Sequence, residues 1–310
     1  MAPVGARRPS LSPTQGAARA SPIDRLERTA AILERRGYAV TPARLGGLCL
    51  GGPVSEDAVL ASVAGSAWLD VRHGLVLTPA MAGAGPAILR RAEAHKANVA
   101  GCLVMATRFV KRLVQLSPYV LSVSIAGSLA SGGYLLTDDV DLNLIVEDGY
   151  RHLAYVAVNV LGLAHALLHR SKPVDTHTRR PLAPRFMTAN LILERSQCFP
   201  LVRQDEDMAY EFLASQPVYG IELWCEVVAT NPGLCANFPQ LKDRRFEAVL
   251  RALPVLPRWV FPAVLDAPAR SLGHTAWRYM QWTRRSRPEA LARVAFVRQT
   301  MHPYALFSDR

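Results

Sequence analysis

The sequence predicts an α+β protein with a small mixed sheet flanked by helices, and three observations carry that prediction. Residues 121–125 and 139–147 alternate apolar and polar side chains, which is the period of a strand. The stretches around them repeat apolar residues every three to four positions, as helices do. Half of the 310 residues are hydrophobic and 20% are charged, which is typical of a globular chain with a sizeable core.

Residues 21–80 predict three short helices followed by a two-stranded hairpin, which is the outline of a winged-helix-like module. The helices begin at three capping positions: Ser21-Pro22, Thr41-Pro42 and Ser55-Glu56-Asp57. The hairpin spans residues 68–77 and turns near His73-Gly74. Residues 1–20 hold almost no large apolar residue, so a disordered tail is predicted there.

Modules of this outline often bind DNA, yet the second and third predicted helices show no basic stripe. Arg44 is the one positively charged residue between Pro42 and Val71. DNA binding therefore stays open but is not favoured, and a structural or protein-contacting role is preferred.

A long helix is predicted over residues 86–116, and it leads into a strand at residues 121–125. Apolar residues alternate with Ser122 and Ser124 in this strand, so a half-buried strand is expected. The next strand has one apolar face, made by Val140, Leu142, Leu144 and Val146. Its opposite face carries Asp139, Asp141, Asn143, Ile145 and Glu147.

Two carboxylates at positions i and i+2 of a strand repel each other unless a cation lies between them. Mg²⁺ takes oxygen ligands and is commonly held by one or two carboxylates together with substrate phosphates. Asp139 and Asp141 therefore predict a magnesium site. Upstream, Gly127 permits a close backbone approach to a ligand, and Ser128 opens a short helix whose free N–H groups favour an anion.

Taken together, Gly127-Ser128, Gly132 and Asp139-Val140-Asp141 resemble the Gly-Ser … Asp-x-Asp signature of the DNA polymerase β-like nucleotidyltransferase superfamily. The resemblance implies that Gly127, Ser128 and Gly132 hold a nucleoside triphosphate and that Asp139 and Asp141 hold two Mg²⁺ ions. It also implies a third carboxylate on a neighbouring strand. Residues 81–203 are then a nucleotidyltransferase core with its preceding long helix.

The neighbouring strand is predicted at residues 185–194, and Asn190 occupies the place of the third carboxylate. An asparagine amide can orient a water or a metal ligand, but it cannot accept a proton as a general base. Glu194 has the same parity but lies roughly 13 Å further along a strand. Asp175, in the preceding loop, is the other substitute. The apolar face of this strand is predicted to hold Met187, Ala189, Leu191 and Leu193.

Residues 204–310 predict an all-helical region, with helices at 205–215, 219–230 and 242–253. This region resembles the helices that follow the catalytic domain in uncharacterised bacterial nucleotidyltransferase-domain proteins. Residues 274–296 interleave Trp277, Tyr279 and Trp282 with arginines. Such a segment either stacks on a nucleotide or RNA or is a plain amphipathic helix, and the plain helix is preferred.

The net charge of +11 favours a polyanionic partner, although a high arginine content also produces it. Five scattered cysteines without a CxxC pair fit a reducing cytoplasm. His165 and His169 lie one turn apart, but no further ligand completes a metal set, so surface or satisfied histidines are expected. The apolar stretch at 253–265 is broken by prolines, and no signal peptide is visible. We therefore expect a cytoplasmic protein without a membrane partner.

These patterns predict a Mg²⁺-dependent nucleotidyltransferase that moves a nucleoside monophosphate from an NTP, with ATP preferred, to an unknown acceptor and releases pyrophosphate. The alternative is a catalytically weak or inactive nucleotide-binding regulator or scaffold, whose winged-helix-like module meets a partner. Asn190 in place of an acid motivates that alternative. The acceptor, the nucleotide base and the oligomeric state are left open.

Overall fold

The computed structural model describes residues 20–82, 85–136, 138–168, 187–246, 249–250, 254, 256–286 and 288–307. The chain is α+β, as predicted, with helices around two small sheets. Asp175, His169 and nearly all of the predicted tail lie outside the described residues.

The N-terminal part has three helices and a hairpin, and the three predicted helix starts are confirmed. Helices α1 (Pro22–Arg36), α2 (Pro42–Gly47) and α3 (Glu56–Ala64) are each capped by a hydroxyl, from Ser21, Thr41 and Ser55. Strands β1 (Asp70–Arg72) and β2 (Leu75–Leu77) pair antiparallel. The hairpin turns at His73 and Gly74, with φ angles of 53° and 75°, as a tight hairpin turn requires. Val40 bridges to Val76 and adds a third extended segment.

The central sheet has four strands in the order β5-β4-β3-β6. Its elements are α4 (Pro79–Ala82), α5 (Gly85–Leu116), β3 (Val120–Ala126), α6 (Gly127–Ser131), β4 (Val140–Val146), α7 (Arg151–Leu168), β5 (Met187–Glu194) and β6 (Gln216–Tyr219). β3 is antiparallel to both of its neighbours, whereas β4 and β5 are parallel. Helix α7 makes the crossover that a parallel pair needs.

The region after residue 204 is not all-helical, which corrects the sequence prediction. Helices α8 (Glu206–Ala214), α9 (Ile221–Thr230), α10 (Pro232–Asn237), α11 (Asp266–Arg284) and α12 (Pro288–Met301) are present. Between α8 and α9, however, strand β6 pairs with β3 at the edge of the sheet, where a proline such as Pro217 is tolerated. Pro217 therefore marks a strand rather than a simple helix break.

The helix predicted at 242–253 is also wrong, because its described residues lie in turns and irregular structure. Tertiary contacts of Arg244 override the local helical pattern. Its guanidinium donates to the carbonyl oxygens of Phe212 at 3.3 Å and Ser215 at 3.0 Å, at the end of α8. Burial holds the pKa of Arg244 down to about 10, and the charge of Arg44 adds to the shift.

Both faces of the sheet are covered. Toward α5 and α7, the strands contribute residues such as Val123 and Leu142 to an apolar core. Toward α8 and α9, Leu191 joins a second core that also holds Leu26 of α1 and Phe212 of α8. The prediction of a half-buried β3 is therefore wrong, because Ser122 and Ser124 are only 1% and 3% exposed.

Strand β5 changes face at a bulge, which the sequence pattern hid. Leu142 pairs with Ala189 while Asn143 pairs with Leu191, so Asn190 is the extra residue. Beyond it, Leu191 and Leu193 pack in the α8-side core, whereas Met187 and Ala189 pack on the α7 side. The single apolar face predicted for these four residues is therefore wrong.

Of the helices in the described ranges, none combines the length and the hydropathy that crossing a bilayer requires.

Candidate functional site

The Gly-Ser turn lies directly against the second aspartate of the Asp-x-Asp motif. Ala126 at the end of β3 pairs with Asp141 on β4. Gly127 has a φ of +61°, and a Cβ atom there would lie 2.8 Å from Cγ of Asp141 and closer still to its Oδ2. Both the left-handed backbone and the close approach exclude side chains at this position. Two motifs separated in sequence are thus in contact.

The rest of the turn is a short, tightly closed helix. Ser128 is buried, and its carbonyl accepts hydrogen bonds from the N–H groups of Gly132 at 3.2 Å and Gly133 at 3.1 Å. Gly132 adopts a φ of +108° to end the helix. A Cβ atom at Gly133 would lie 2.8 Å from Cε1 of Tyr38, so the N-terminal part packs against this turn.

Asp139 lies one residue before β4 and is partly buried, with the fully buried Val140 between it and Asp141. The preceding carboxylate, Asp138, has a structural role. Arg91 of α5 donates to both of its oxygens, at 3.1 and 3.2 Å, and also to the carbonyl of Gly133 at 2.9 Å. These contacts fix the loop before β4, which leaves Asp139 and Asp141 as the candidate ligands.

One buried group and one half-buried group beside this loop have shifted pKa values. Burial raises the pKa of the Tyr134 phenol, and the charges of Cys102, Asp138 and Asp139 add to the shift. Burial also lowers the pKa of His95, with a contribution from Arg44. A neutral His95 agrees with its Nδ1 accepting the N–H of Tyr134 at 3.3 Å. Both groups are therefore uncharged at neutral pH.

Asp141 is oriented from the neighbouring strand by a hydroxyl. Thr188 pairs with Asp141 in the parallel register, and its Oγ1 donates to Oδ1 of Asp141 at 2.9 Å. The residue of β5 that faces the motif directly is thus a threonine, and Asn190 lies one step further along.

Asn190 belongs to a partly buried polar cluster with Asn143 and Glu211, on the same face of the sheet as Asp141. The Nδ2 of Asn190 donates to Asn143 Oδ1 at 3.1 Å and to Glu211 Oε1 at 3.0 Å. The Nδ2 of Asn143 donates to the same Glu211 oxygen at 2.9 Å. Glu211, on α8, is only 9% exposed. We call these three residues the Glu211 cluster.

Sequence reasoning missed Glu211, although a signal was present. The carboxylate stands inside the run MAYEFLA of α8, whose other side chains are all buried. An acidic residue within such a run is rarely buried unless its carboxylate is paired with another group. The helix brings to the sheet the carboxylate that β5 itself does not supply at Asn190.

Glu194 lies at the other end of β5, which excludes it from the site. It pairs with Val146, its Oε1 accepts the N–H of Gly149 at 2.9 Å, and its backbone N–H donates to Gln197. The bulge at Asn190 also turns it away from the face of Thr188. Glu194 therefore caps a turn.

A small cavity of about 20 Å³ lies between the sheet and helices α8 and α9, beside the Glu211 cluster. Its polar lining comes from Ser122, Ser124, Asn143 and Ser215. A space of this size and polarity holds about one water molecule.

The donor set fits a metal ion that binds together with a nucleotide. Within the described part of the chain, no group of three or more His, Cys, Asp or Glu residues is placed to hold a metal ion. Instead, the Asp141 carboxylate lies against a backbone turn that rejects side chains, and Asp139 precedes it by two residues, a donor set that suits Mg²⁺ together with substrate phosphates. His165, one of the two paired histidines, packs edge-on against Phe109 with ring centroids 5.7 Å apart.

Comparison with known proteins gave no match to a family model, to a curated protein or to a solved structure.

Proposed function

We propose that the protein is a Mg²⁺-dependent nucleotidyltransferase that transfers the nucleoside monophosphate of an NTP, with ATP preferred, to an acceptor and releases pyrophosphate. The observation that supports the proposal most is the contact between Gly127 and the Asp141 carboxylate. It joins a backbone turn open to phosphate and a carboxylate suited to a divalent cation in one place.

In this proposal Asp139 and Asp141 hold two Mg²⁺ ions, which would supply neutralisation of the phosphate charge. The Gly127-Ser128 turn positions the triphosphate, and Gly132 closes that turn. Thr188 keeps Asp141 in one orientation through its 2.9 Å hydrogen bond. The acceptor oxygen attacks the α-phosphorus as the bond to pyrophosphate breaks, so the residues act mainly through placement and charge.

In this proposal the Glu211 cluster contributes the third carboxylate of the site, in addition to Asp139 and Asp141. Its carboxylate accepts two amide hydrogen bonds on the face that also carries Asp141. We assign Glu211 a positioning role, through Asn190 and Asn143, for the strands that hold the aspartate motif.

A nucleotide-binding regulator or scaffold with little or no activity is the second candidate. It is favoured by one specific observation: the β5 residue in register with Asp141 is Thr188, which has no carboxylate. A hydroxyl at this place can orient Asp141 but cannot accept a proton as a carboxylate does.

We further propose that residues 21–80 are a winged-helix-like module with a structural role rather than a DNA-binding one. The order of three helices and a hairpin, with the Val40–Val76 bridge, supports that arrangement. The arginines of α1 point into the molecule: Arg25 contacts Leu50, Arg28 pairs with Glu206, and Arg35 and Arg36 pair with Asp207. Cations engaged in this way are not available for phosphates of DNA.

The test uses the full chain with Mg²⁺ and each of the four NTPs labelled at the α-phosphate, together with pools of small alcohols, amines, proteins and tRNA. We expect labelled product and released pyrophosphate with ATP. Binding of Mg²⁺ and NTP in a thermal-shift assay without either product supports the regulator instead. Absence of any NTP-dependent shift contradicts both candidates.

A further inference from the structure

The outer faces of α7 and α11 carry a patch of large apolar side chains exposed to solvent. Its members are Val160, Leu163 and Leu167 on α7 and Leu272, Tyr279 and Trp282 on α11. Each is between 46% and 66% exposed. Single exposed apolar residues are ordinary, but a contiguous group of this kind marks an interaction surface. We call it the α7–α11 patch.

The two rows border each other because the helices lie side by side and run in the same direction. Near the start of α11, Asp266 accepts hydrogen bonds from the N–H groups of His152 at 2.7 Å and Leu153 at 2.8 Å. Further along, a Cβ atom at Gly273 would lie 3.1 Å from the ring of Tyr155. Residues three, four and seven apart share a helix face, so each row forms one continuous stripe.

Both stripes are turned away from the core. Ala154 and Val158 of α7 are fully buried toward the sheet, and Ala269 of α11 is buried at 6% exposure. The exposed residues fall on the other side of each helix. The patch therefore belongs to the outer surface of this pair of helices.

The charge around the patch is positive. Arg278 and Arg285 are exposed on or just after α11, and each lies within four residues of Trp282. Asp266 is the one acidic residue in the sequences of α7 and α11, and its carboxylate is bonded to His152. An apolar surface flanked by arginines without competing acids is complementary to an anionic partner.

The composition favours a lipid surface over a nucleic acid. Four of the six patch residues are aliphatic, and aliphatic side chains do not stack on bases. The Trp282 ring already has stacking partners, because the Arg285 guanidinium lies 4.7 Å from its centroid and the Tyr279 ring lies 6.0 Å from it. Trp and Tyr beside aliphatic residues and arginines are instead typical of the headgroup region of a bilayer.

We propose that the α7–α11 patch binds the surface of an anionic lipid bilayer, with the apolar side chains entering the boundary between headgroups and acyl chains and the arginines meeting the lipid phosphates. Such a contact needs no spanning helix. It departs from the sequence expectation of no membrane partner, and it does not depend on the proposed transferase activity.

The test is co-sedimentation of the full chain with vesicles of phosphatidylcholine, with and without phosphatidylserine. We expect binding to the anionic vesicles only. The variant Leu163→Ser/Leu272→Ser/Trp282→Ser should bind at least about tenfold more weakly because it removes apolar area from the contact. Replacing Arg278 and Arg285 by serine should weaken binding about fivefold for each arginine.

Val202→Ser is the matched control, since Val202 is 79% exposed on a loop outside the patch and should leave binding unchanged. Quenching of tryptophan fluorescence by brominated lipids in the unaltered chain gives a readout that needs no variant. The proposal is overturned by equal binding to both vesicle types, by no binding, or by an apolar variant that binds as well as the unaltered chain. Two further outcomes also overturn it: the patch variants abolish binding of single-stranded RNA instead, or they dissolve a dimer.

Discussion

The two faces of the central sheet are built from the same strands but hold different chemistry. Toward α5 and α7, the buried side chains are apolar, with Val123, Leu142 and Val146 among the least exposed. Toward α8 and α9, Ser124 is almost fully buried and the Glu211 cluster replaces hydrocarbon contacts with hydrogen bonds. Asp141 of the aspartate motif lies on this second face, near the end of β3.

If stability alone decided, an apolar face such as the one toward α5 and α7 would be favoured on both sides of the sheet. A buried carboxylate without a cation costs free energy even when amides hydrogen-bond to it, and an apolar side chain of the same volume is often better. No salt bridge to Glu211 is present in the described part of the chain. The apolar α7-side face stabilises the fold, and we propose that the polar groups of the α8-side face serve the site.

The largest effect should come from the motif itself. Asp141→Asn preserves the shape of the side chain but removes the charge, so we expect NMP transfer to fall on the order of 10³-fold, because several kcal/mol of charge stabilisation are lost. The measurement is release of pyrophosphate at saturating Mg²⁺ and ATP.

Asp148→Asn is the matched control, because Asp148 accepts the N–H of Ser196 at 2.9 Å in a loop at the far end of β4. Equal rates for Asp141→Asn and the unaltered chain would remove Asp141 from the chemistry.

A pair of substitutions tests the two faces against each other. Leu142→Ala on the α7-side face should lower the free energy of unfolding by about 2–5 kcal/mol, since it leaves a cavity in a fully packed core. Glu211→Gln should change it by less than about 1 kcal/mol, because the amide keeps the shape and an acceptor oxygen. Transfer should fall about tenfold in Glu211→Gln if the charge positions the site. Urea unfolding and turnover separate the two effects.

The comparison fails if Glu211→Gln destabilises the protein as much as Leu142→Ala does. The cluster would then be a structural network like the apolar core.

Two glycines with the same backbone conformation isolate the contact with Asp141. Gly127→Ala and Gly37→Ala both place a side chain at positive φ, of +61° and +77°, which costs about 1–2 kcal/mol in each. A Cβ atom meets nothing within 4 Å at Gly37 but collides with Asp141 at Gly127. Gly127→Ala should therefore be the more destabilising change and should also reduce NTP binding, whereas Gly37→Ala should bind NTP normally. Thermal unfolding with and without Mg²⁺ and ATP measures both.

Much of this architecture could be predicted from local patterns. The capped helix starts and the His73-Gly74 turn each depend on residues close in sequence, so their signals are complete in short windows. The neighbourhood of Gly127 and Asp141 was likewise expected from a strand–turn–strand order, and their contact agrees with it.

The missed features all depend on contacts distant in sequence. The bulge at Asn190 depends on the pairing register between β4 and β5. The alternation of apolar and polar residues within one strand does not encode that register. Strand β6 exists because β3 offers an open edge, and Glu211 reaches the site because α8 lies across the sheet. A helical pattern shows that α8 is amphipathic but not which strand residues its carboxylate meets.

The smallest effect should be a pH-dependent loss of stability at the start of α8, which covers the polar face. Burial acts to raise the pKa of Asp207, but Arg36 at 2.9 Å and Arg35 at 3.1 Å outweigh it and hold that pKa below its usual range. A depressed folded-state pKa stabilises the protein above the unfolded value of about 3.9 and loses that contribution as the pH falls through the folded value. Asp207→Asn should therefore lower the free energy of unfolding by about 1–3 kcal/mol at pH 7.

That difference should shrink below about pH 4, because the carboxyl of the unaltered chain then becomes protonated as well. Asp70→Asn is the control, since the Asp70–Arg72 pair is 58% exposed on both sides and contributes almost nothing. Urea unfolding from pH 7 to pH 3 measures both variants. If α8 holds the polar face in place, Asp207→Asn should also reduce transfer at pH 7, whereas a variant at the start of α11, Asp266→Asn, should not. Loss of transfer in both variants would mean that the two faces are coupled and that the division between fold and site is not as sharp as the contacts indicate.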